Sequence, residues 1–299
     1  MTRPIPNTPS EAACWRRDAV QPLIDVYAGE PDVEAVMLSG SAARGNADRW
    51  SDAEIGVFWS RPPAEDERRR LALAGGMRDA HIFPLYEPEA VWCDDIYLGG
   101  PIGSGLLVEV VHAETVATEK ALADVFDDHD PDPAGLNRAQ GVVDGIAYHG
   151  QELLAGWKRR AAAYPRELAV AVVERAGVID HFWRWEMYAE RRNPAMLAQH
   201  FAAVCERVVM MLLALNRRYG PNLKWLPTIA ASLDHAPPGL ADRIGTVFAS
   251  EPAVAATLLT DLVRETFDLV EAGLPEADVD RLRRVFGHRR LPLDELPAS

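Results

Sequence analysis

The stretch VMLSGSAARGNADRWSDAEIGVFW, residues 36–59, decides the fold. It reads as an apolar strand, a turn at Gly40 and Ser41, a short helical stretch, a polar loop and a second apolar strand that opens at Asp52 and Glu54. Side chains two residues apart on a strand point to the same face. Both carboxylates can therefore serve one site at the start of the second strand.

The chemistry of these residues suits a metal ion beside a polyphosphate. Magnesium prefers a few carboxylates together with phosphate oxygens and water, and two such ions can stabilise the attacking and leaving oxygens of a phosphoryl displacement. The turn at Gly40 and Ser41 lets backbone N–H groups approach a triphosphate, and Ser41 adds a hydroxyl donor. One short segment thus predicts metal ligands and a phosphate cradle.

This layout resembles the DNA polymerase β-type nucleotidyltransferases, in particular the small-molecule branch that contains the aminoglycoside and lincosamide nucleotidyltransferases. The resemblance covers about residues 30–115 and rests on the apolar strand, Gly40-Ser41, Arg44-Gly45, and the Ser-Asp-x-Glu pattern at 51–54. The Asp-x-Glu form is similar to that of the kanamycin nucleotidyltransferases. The alternative is that Gly40 and Ser41 form an ordinary turn and the acids lie at a solvated strand end.

The resemblance implies a third carboxylate on a neighbouring strand. Glu109, within Leu106–Val111, is the candidate, and it would either bind metal or take the proton of the attacking hydroxyl. The alternative is an edge-strand carboxylate that faces water. The resemblance implies Mg²⁺ as the cofactor, two ions in all, and a nucleoside triphosphate as the co-substrate, with ATP as the expected donor. Arg44, beside the turn, is a further expected nucleotide contact.

The helical half is similar, more loosely, to the C-terminal part of the same enzymes. By that resemblance a lysine of this half reaches the triphosphate: Lys224 after the helix stop at Gly220, or Lys158 as the competing choice, with Asn216 as a hydrogen-bonding neighbour. The alternative is that Lys224 covers a helix C-terminus.

A predicted helix over 178–191 mixes aromatic and acidic residues, so Glu186 and Glu190, one turn apart, are candidate substrate contacts for a polyhydroxylated amine. The competing interpretation is an aromatic core stripe with solvated acids.

The remaining patterns predict an α/β plus α protein. A small mixed β-sheet occupies an N-terminal nucleotidyltransferase catalytic domain over 1–127, and a helical bundle for acceptor and nucleotide binding occupies 134–299. Residues 87–104 are expected to form a hairpin or a loop. Strands are predicted at 33–38, 53–59, 80–86 and 106–112, and helices at 10–28, 63–75, 114–126, 134–157, 166–191, 194–218, 238–249, 252–273 and 277–286.

Composition limits the partners. The net charge of −14 disfavours long nucleic acid and favours a cationic small molecule, and the basic run at 68–70 follows three acids, as on a solvated helix face. Three scattered cysteines indicate a reducing compartment. Without a signal-peptide core or an apolar run of about 18 residues, a cytoplasmic protein with no membrane partner is expected.

The expected function is transfer of a nucleoside monophosphate from a nucleoside triphosphate to a hydroxyl of a small molecule, such as an antibiotic, with release of pyrophosphate. Two alternatives stay open at this point: nucleotidylation of a protein hydroxyl, and a catalytically silent module that binds nucleotide or a partner. The sequence contains no pattern that selects the base, the acceptor or the oligomeric state.

Overall fold

The computed structural model describes residues 9–220 and 223–293, and the chain divides into two compact units. The sheet unit consists of the described residues up to Asp128 together with Ala134–Ala163. The helical unit consists of His129–Pro133 and the described residues from Tyr164 onward. The predicted boundary at 127–134 therefore does not coincide with the division between the units, because the segment 134–163 packs with the sheet.

The sheet unit carries a mixed sheet flanked by helices. Its strands run in the order β3-β4-β5-β2-β1-β6, with β2 and β5 parallel and every other neighbouring pair antiparallel. This confirms the predicted mixed α/β class. The elements are α1 (Glu11–Ala28), β1 (Val33–Ser39), α2 (Gly40–Arg44), β2 (Ala53–Trp59), α3 (Glu65–Ala74), β3 (Met77–Ile82), β4 (Val91–Leu98), β5 (Leu106–Glu114), α4 (Thr115–Phe126), α5 (Pro133–Asp144), β6 (Ile146–His149) and α6 (Gln151–Ala163).

Apolar side chains on one face of the sheet form the main core. Leu38, Ile55, Val108 and Val110 are fully or almost fully buried there, packed with Tyr27 and its neighbours on α1. On the opposite face, the Phe58 ring meets Trp157 of α6 edge-on, with the ring centroids 4.9 Å apart. Burial of this alternating set fixes the strand register, because a shift by one residue would turn every core side chain outward.

A charged network lies inside the core of the sheet unit. Arg68 on α3 donates from Nη1 to Asp94 on β4, and both side chains are at most 2% exposed. His112 Nε2 lies 3.3 Å from the other carboxylate oxygen of Asp94. Trp59 Nε1 donates to His112 Nδ1 at 3.1 Å, so the proton of the neutral imidazole belongs on Nε2, facing Asp94.

The pKa values in this network follow from burial and from neighbouring charge. Burial lowers the pKa of His112, which keeps the ring neutral. Burial alone would raise the pKa of Asp94, but His112 and Arg68 outweigh it and hold the pKa below its usual value. The interpretation of residues 68–70 as a solvated helix face is wrong for Arg68, because its side chain points into the core toward a buried acid.

The helical unit is built around α9. This helix packs against α7 and α12 and contributes buried apolar residues along much of its length. It is also long and apolar enough to cross a bilayer by length and composition, although half of its most apolar window is buried within the protein. The elements are α7 (Arg166–Ala176), α8 (Arg184–Glu190), α9 (Pro194–Leu215), a 3-10 helix (Leu223–Trp225), α10 (Leu226–Ser232), α11 (Leu240–Ala249), α12 (Pro252–Gly273) and α13 (Val279–Gly287).

Three predicted elements need correction. The helix predicted over 134–157 is wrong, because the helix is interrupted at Gly145 and the chain then forms the edge strand β6. Pairing with β1 stabilises this strand, and a local sequence pattern does not reveal such pairing. The helix predicted over 166–191 ends at Ala176 and resumes at Arg184. The strand predicted over 80–86 lies at Met77–Ile82 instead, where it pairs with β4.

Candidate functional site

Three carboxylates meet at the start of the parallel strand pair. Asp52 directly precedes β2, Glu54 is its second residue, and Glu109 lies on β5, where the register pairs it with Glu54. One carboxylate oxygen from each residue lies within 4.8 Å of those of the other two. The structure thus brings together the three acids that the sequence singles out, and Glu109 is on a central strand rather than at the sheet edge.

The turn after β1 is shaped by the carboxylate of Glu54. Ser39, the register partner of Glu54, donates from Oγ to Glu54 Oε2 at 3.5 Å. The next residue, Gly40, has φ of +62°, and a Cβ built on it would lie 2.3–2.5 Å from three atoms of the Glu54 carboxylate. Only glycine allows this backbone to pass so close to the acid.

Gly40→Ala is expected to displace the Glu54 carboxylate and to weaken Mn²⁺ binding by at least about tenfold, because the three atoms nearest to the added Cβ all belong to that carboxylate. The measurement is calorimetric titration of the full chain with Mn²⁺. Gly239→Ala is the matched control, because Gly239 has a similar φ of +64° but no atom within 4 Å of an added Cβ.

Both alanine variants should lose about 1–2 kcal/mol of stability from the left-handed backbone, while Mn²⁺ binding by Gly239→Ala stays at the wild-type level. Equal metal binding by Gly40→Ala and the wild type would contradict the close approach of Gly40 and Glu54.

The short helix after the turn is anchored by ion pairing. Ser41 is buried, and the guanidinium Nη1 of Arg44 donates to Asp144 Oδ2 at the end of α5 over 2.9 Å. The helix then ends at Gly45, whose φ is +84°. Arg44 is therefore already engaged with a carboxylate, and phosphate binding by Gly40, Ser41 and Arg44 stays a prediction.

A hydrogen-bonded loop holds Asp52 at the entrance of β2. Asp48 Oδ1 accepts from the Trp50 N–H at 2.8 Å and from Ser51 Oγ at 3.1 Å, and the Trp50 contact is the main reason for the lowered pKa of Asp48. Arg16 on α1 donates twice to the Ser51 carbonyl, at 2.8 and 2.5 Å. Arg16 was not identified from the sequence, because no sequence spacing connects it to this loop. The Asp48-x-x-Ser51 pattern, in contrast, is typical of a turn and could have predicted the loop.

The two candidate lysines belong to different units. Lys158, on α6 of the sheet unit, donates to the Gly145 carbonyl, and burial lowers its pKa. Lys224, on the 3-10 helix of the helical unit, has an exposed side chain. Phosphate binding by Lys158 or Lys224 stays a prediction.

Asn216 and Glu186 have structural partners within the helical unit. The Asn216 amide caps α9: its Nδ2 donates to the Leu212 and His235 carbonyls, and its Oδ1 accepts from two backbone N–H groups. Glu186 pairs with Arg289 at 2.6 Å. Glu190 is exposed at the end of α8. The proposed nucleotide contact of Asn216 and the substrate contacts of Glu186 and Glu190 stay predictions.

Residues 138–226 match a family described as a domain of unknown function (DUF4037). No curated protein matches the chain. A nucleotidyltransferase-like protein from Exiguobacterium sibiricum 255-15 is similar in structure, with a TM-score of 0.40 and 12% sequence identity over 87% of this chain and 80% of that chain.

Proposed function

We propose that this protein is a magnesium-dependent nucleotidyltransferase that transfers a nucleoside monophosphate from a nucleoside triphosphate to a hydroxyl of a small molecule. The observation that carries the proposal is the approach of Asp52, Glu54 and Glu109 to within 4.8 Å across the β2–β5 pair. Three acids so close together repel one another unless a cation or protons offset their charge. The proposal rests on this site and not on the overall likeness to other proteins.

The donor set fits a hard divalent cation. All three candidate ligands are carboxylates, which magnesium prefers over nitrogen or sulfur ligands, and Gly40 leaves room for the Glu54 carboxylate at the site. Asp52, Glu54 and Glu109 would hold the metal. When bound, Mg²⁺ would neutralise charge on the phosphates and on the leaving pyrophosphate.

The side chains of this chain would then position the reactants and move one proton. The acceptor hydroxyl oxygen bonds to the α-phosphorus, the bond from that phosphorus to the bridging oxygen of the β-phosphate breaks, and pyrophosphate leaves. Glu109 either completes the metal site or takes the proton released by the hydroxyl at a carboxylate oxygen. Backbone N–H groups of Gly40 and Ser41 would hold phosphate oxygens.

The acceptor is proposed to be a small hydroxyl compound, with positive charge favoured by the net charge of −14 and by the three acids. The test incubates the full chain with each α-labelled nucleoside triphosphate, Mg²⁺ and a panel of aminoglycoside, lincosamide and protein acceptors. Labelled product and pyrophosphate should form together, and EDTA should abolish both. If triphosphate binds but no acceptor yields pyrophosphate, the enzymatic proposal is wrong and a silent nucleotide-binding module is favoured.

A further inference from the structure

A cleft of about 250 Å³ lies within the helical unit. One wall is the connection between α7 and α8, which contributes Asp180 and His181, and Arg184 opens α8. The other wall is α9, where His200 and Arg207 are seven residues apart and so lie on one side of the helix. Four of these five side chains are basic or can become so.

The two arginines bring positive charge that nearby acids leave largely unneutralised. In the described parts of the helical unit, neither Arg184 nor Arg207 forms an ion pair with a carboxylate, and Asp180 is the one acid among the residues that line the cleft. Arg207 is held in place because its Nη1 donates to the carbonyls of Arg175, Ala176 and Val178 at the end of α7, over 3.0–3.4 Å. A guanidinium fixed in this way loses little conformational freedom when it binds an anion.

Two histidines line the cleft, and one of them, His181, has a strained backbone and a ring nitrogen without a hydrogen-bond partner in the described part of the chain. His181 adopts φ of +58°, a left-handed backbone that is costly for a residue with a side chain. Its Nε2 lies 3.3 Å from Asp180 Oδ2, whereas its Nδ1 is buried without a hydrogen-bond partner in the described part of the chain. His200 donates through Nε2 to the Phe182 carbonyl at 3.1 Å if that nitrogen carries the proton, which orients the ring along the cleft wall.

We propose that this cleft binds a phosphate group, either as free phosphate or on a small phosphate monoester. Arginine suits phosphate because its planar guanidinium offers several N–H donors to two oxygens at once. His181 also lines the cleft, with Asp180 beside its Nε2, and the ring would add positive charge next to the phosphate when it is protonated. The volume accommodates a phosphate with a small substituent.

The test is calorimetric titration of the full chain at constant ionic strength, with EDTA present to remove divalent metals. Inorganic phosphate and glycerol 2-phosphate are the two probes, and the tighter binder identifies the source of the group. We expect one saturable site per chain, and Arg184→Gln should weaken binding at least about tenfold. His181→Gly should also weaken binding, and glycine accepts the left-handed backbone without strain. Urea unfolding of the same variant separates lost binding from lost stability.

Arg191→Gln is the matched control, since Arg191 is an exposed arginine at the other end of α8 and does not line the cleft. It should bind phosphate as the wild type does. Absence of saturable binding, or equal weakening by Arg184→Gln and Arg191→Gln, would overturn the proposal. If Ser41→Ala weakened binding while Arg184→Gln did not, the phosphate would be bound at the turn after β1, and this cleft would not be the site.

Discussion

Replacing Asp52 with asparagine is expected to lower metal-dependent nucleotidyl transfer at least about a thousandfold, or about 4 kcal/mol of transition-state stabilisation. The amide keeps the size of the carboxylate but removes one of the three negative charges that meet within 4.8 Å. Charge on the phosphates would then be neutralised less completely as pyrophosphate leaves. Initial rates of pyrophosphate release at saturating triphosphate measure the effect.

The matched control for this variant is Asp18→Asn, which removes an exposed acid from α1 in the same unit. Its rate should stay within about twofold of the wild type, because a charge exposed to solvent is well screened. Mn²⁺ titration gives a readout that does not depend on the acceptor, and Asp52→Asn should bind the ion more weakly. Full transferase activity in Asp52→Asn would refute the proposed function.

Replacing Arg68 with methionine is expected to cost about 3–5 kcal/mol of the free energy of unfolding. The buried carboxylate of Asp94 would lose its guanidinium partner and keep, among the described residues, only the neutral His112 ring and the Phe83 N–H. Arg68 is 2% exposed, and its guanidinium also donates to the Phe83 carbonyl at 3.0 Å. A loss of this size is a large part of the total stability of an ordinary domain. Urea unfolding of the full chain, followed by circular dichroism, measures it.

The neighbouring residue provides the control for this stability prediction. Arg69 is exposed and pairs with Glu65 one turn away on the helix surface, so Arg69→Met should change stability by at most about 0.5 kcal/mol. Adding Asp94→Asn to Arg68→Met removes the buried negative charge that lost its guanidinium and should recover at least about 1 kcal/mol. No recovery in the double variant would mean that the arginine contributes through packing rather than through its charge.

The pattern of apolar residues and capping residues predicted most elements of the sheet unit, because the side chains that follow this pattern are the ones buried in its core. The strand predicted at 53–59 has the bounds of β2, and Ser10 caps α1 through a hydrogen bond from the Ala13 N–H. Two of the corrections share a cause, since β6 and the shifted strand β3 are both ordered by their partners in the sheet. Ile146–His149 is too short to show a period of its own, and its pairing with β1 lies more than a hundred residues back along the chain.

The candidate site was predictable to the extent that its residues lie in one segment. Asp52 and Glu54 follow from strand periodicity, whereas Glu109 needed a family resemblance because its proximity depends on β2 and β5 being parallel neighbours. Three further contacts join residues that no sequence spacing connects. They are Arg16 with Ser51, Arg44 with Asp144, and Arg68 with Asp94. The cleft of the helical unit could not be predicted for the same reason, since its walls are the connection between α7 and α8 and the surface of α9.

The register between β2 and β5 links the two faces of the sheet. The positions of the acids on one face depend on the packing of the apolar residues on the other face. Val108 and Val110 are fully buried, and the register that buries them also sets Glu109 beside Glu54. A slip of the strand by one residue would move Glu109 away from Glu54 and turn both valines to the opposite face. Selection for a stable protein therefore also preserves the geometry of the site, and substitutions that loosen the valine packing should impair the carboxylate cluster without touching it.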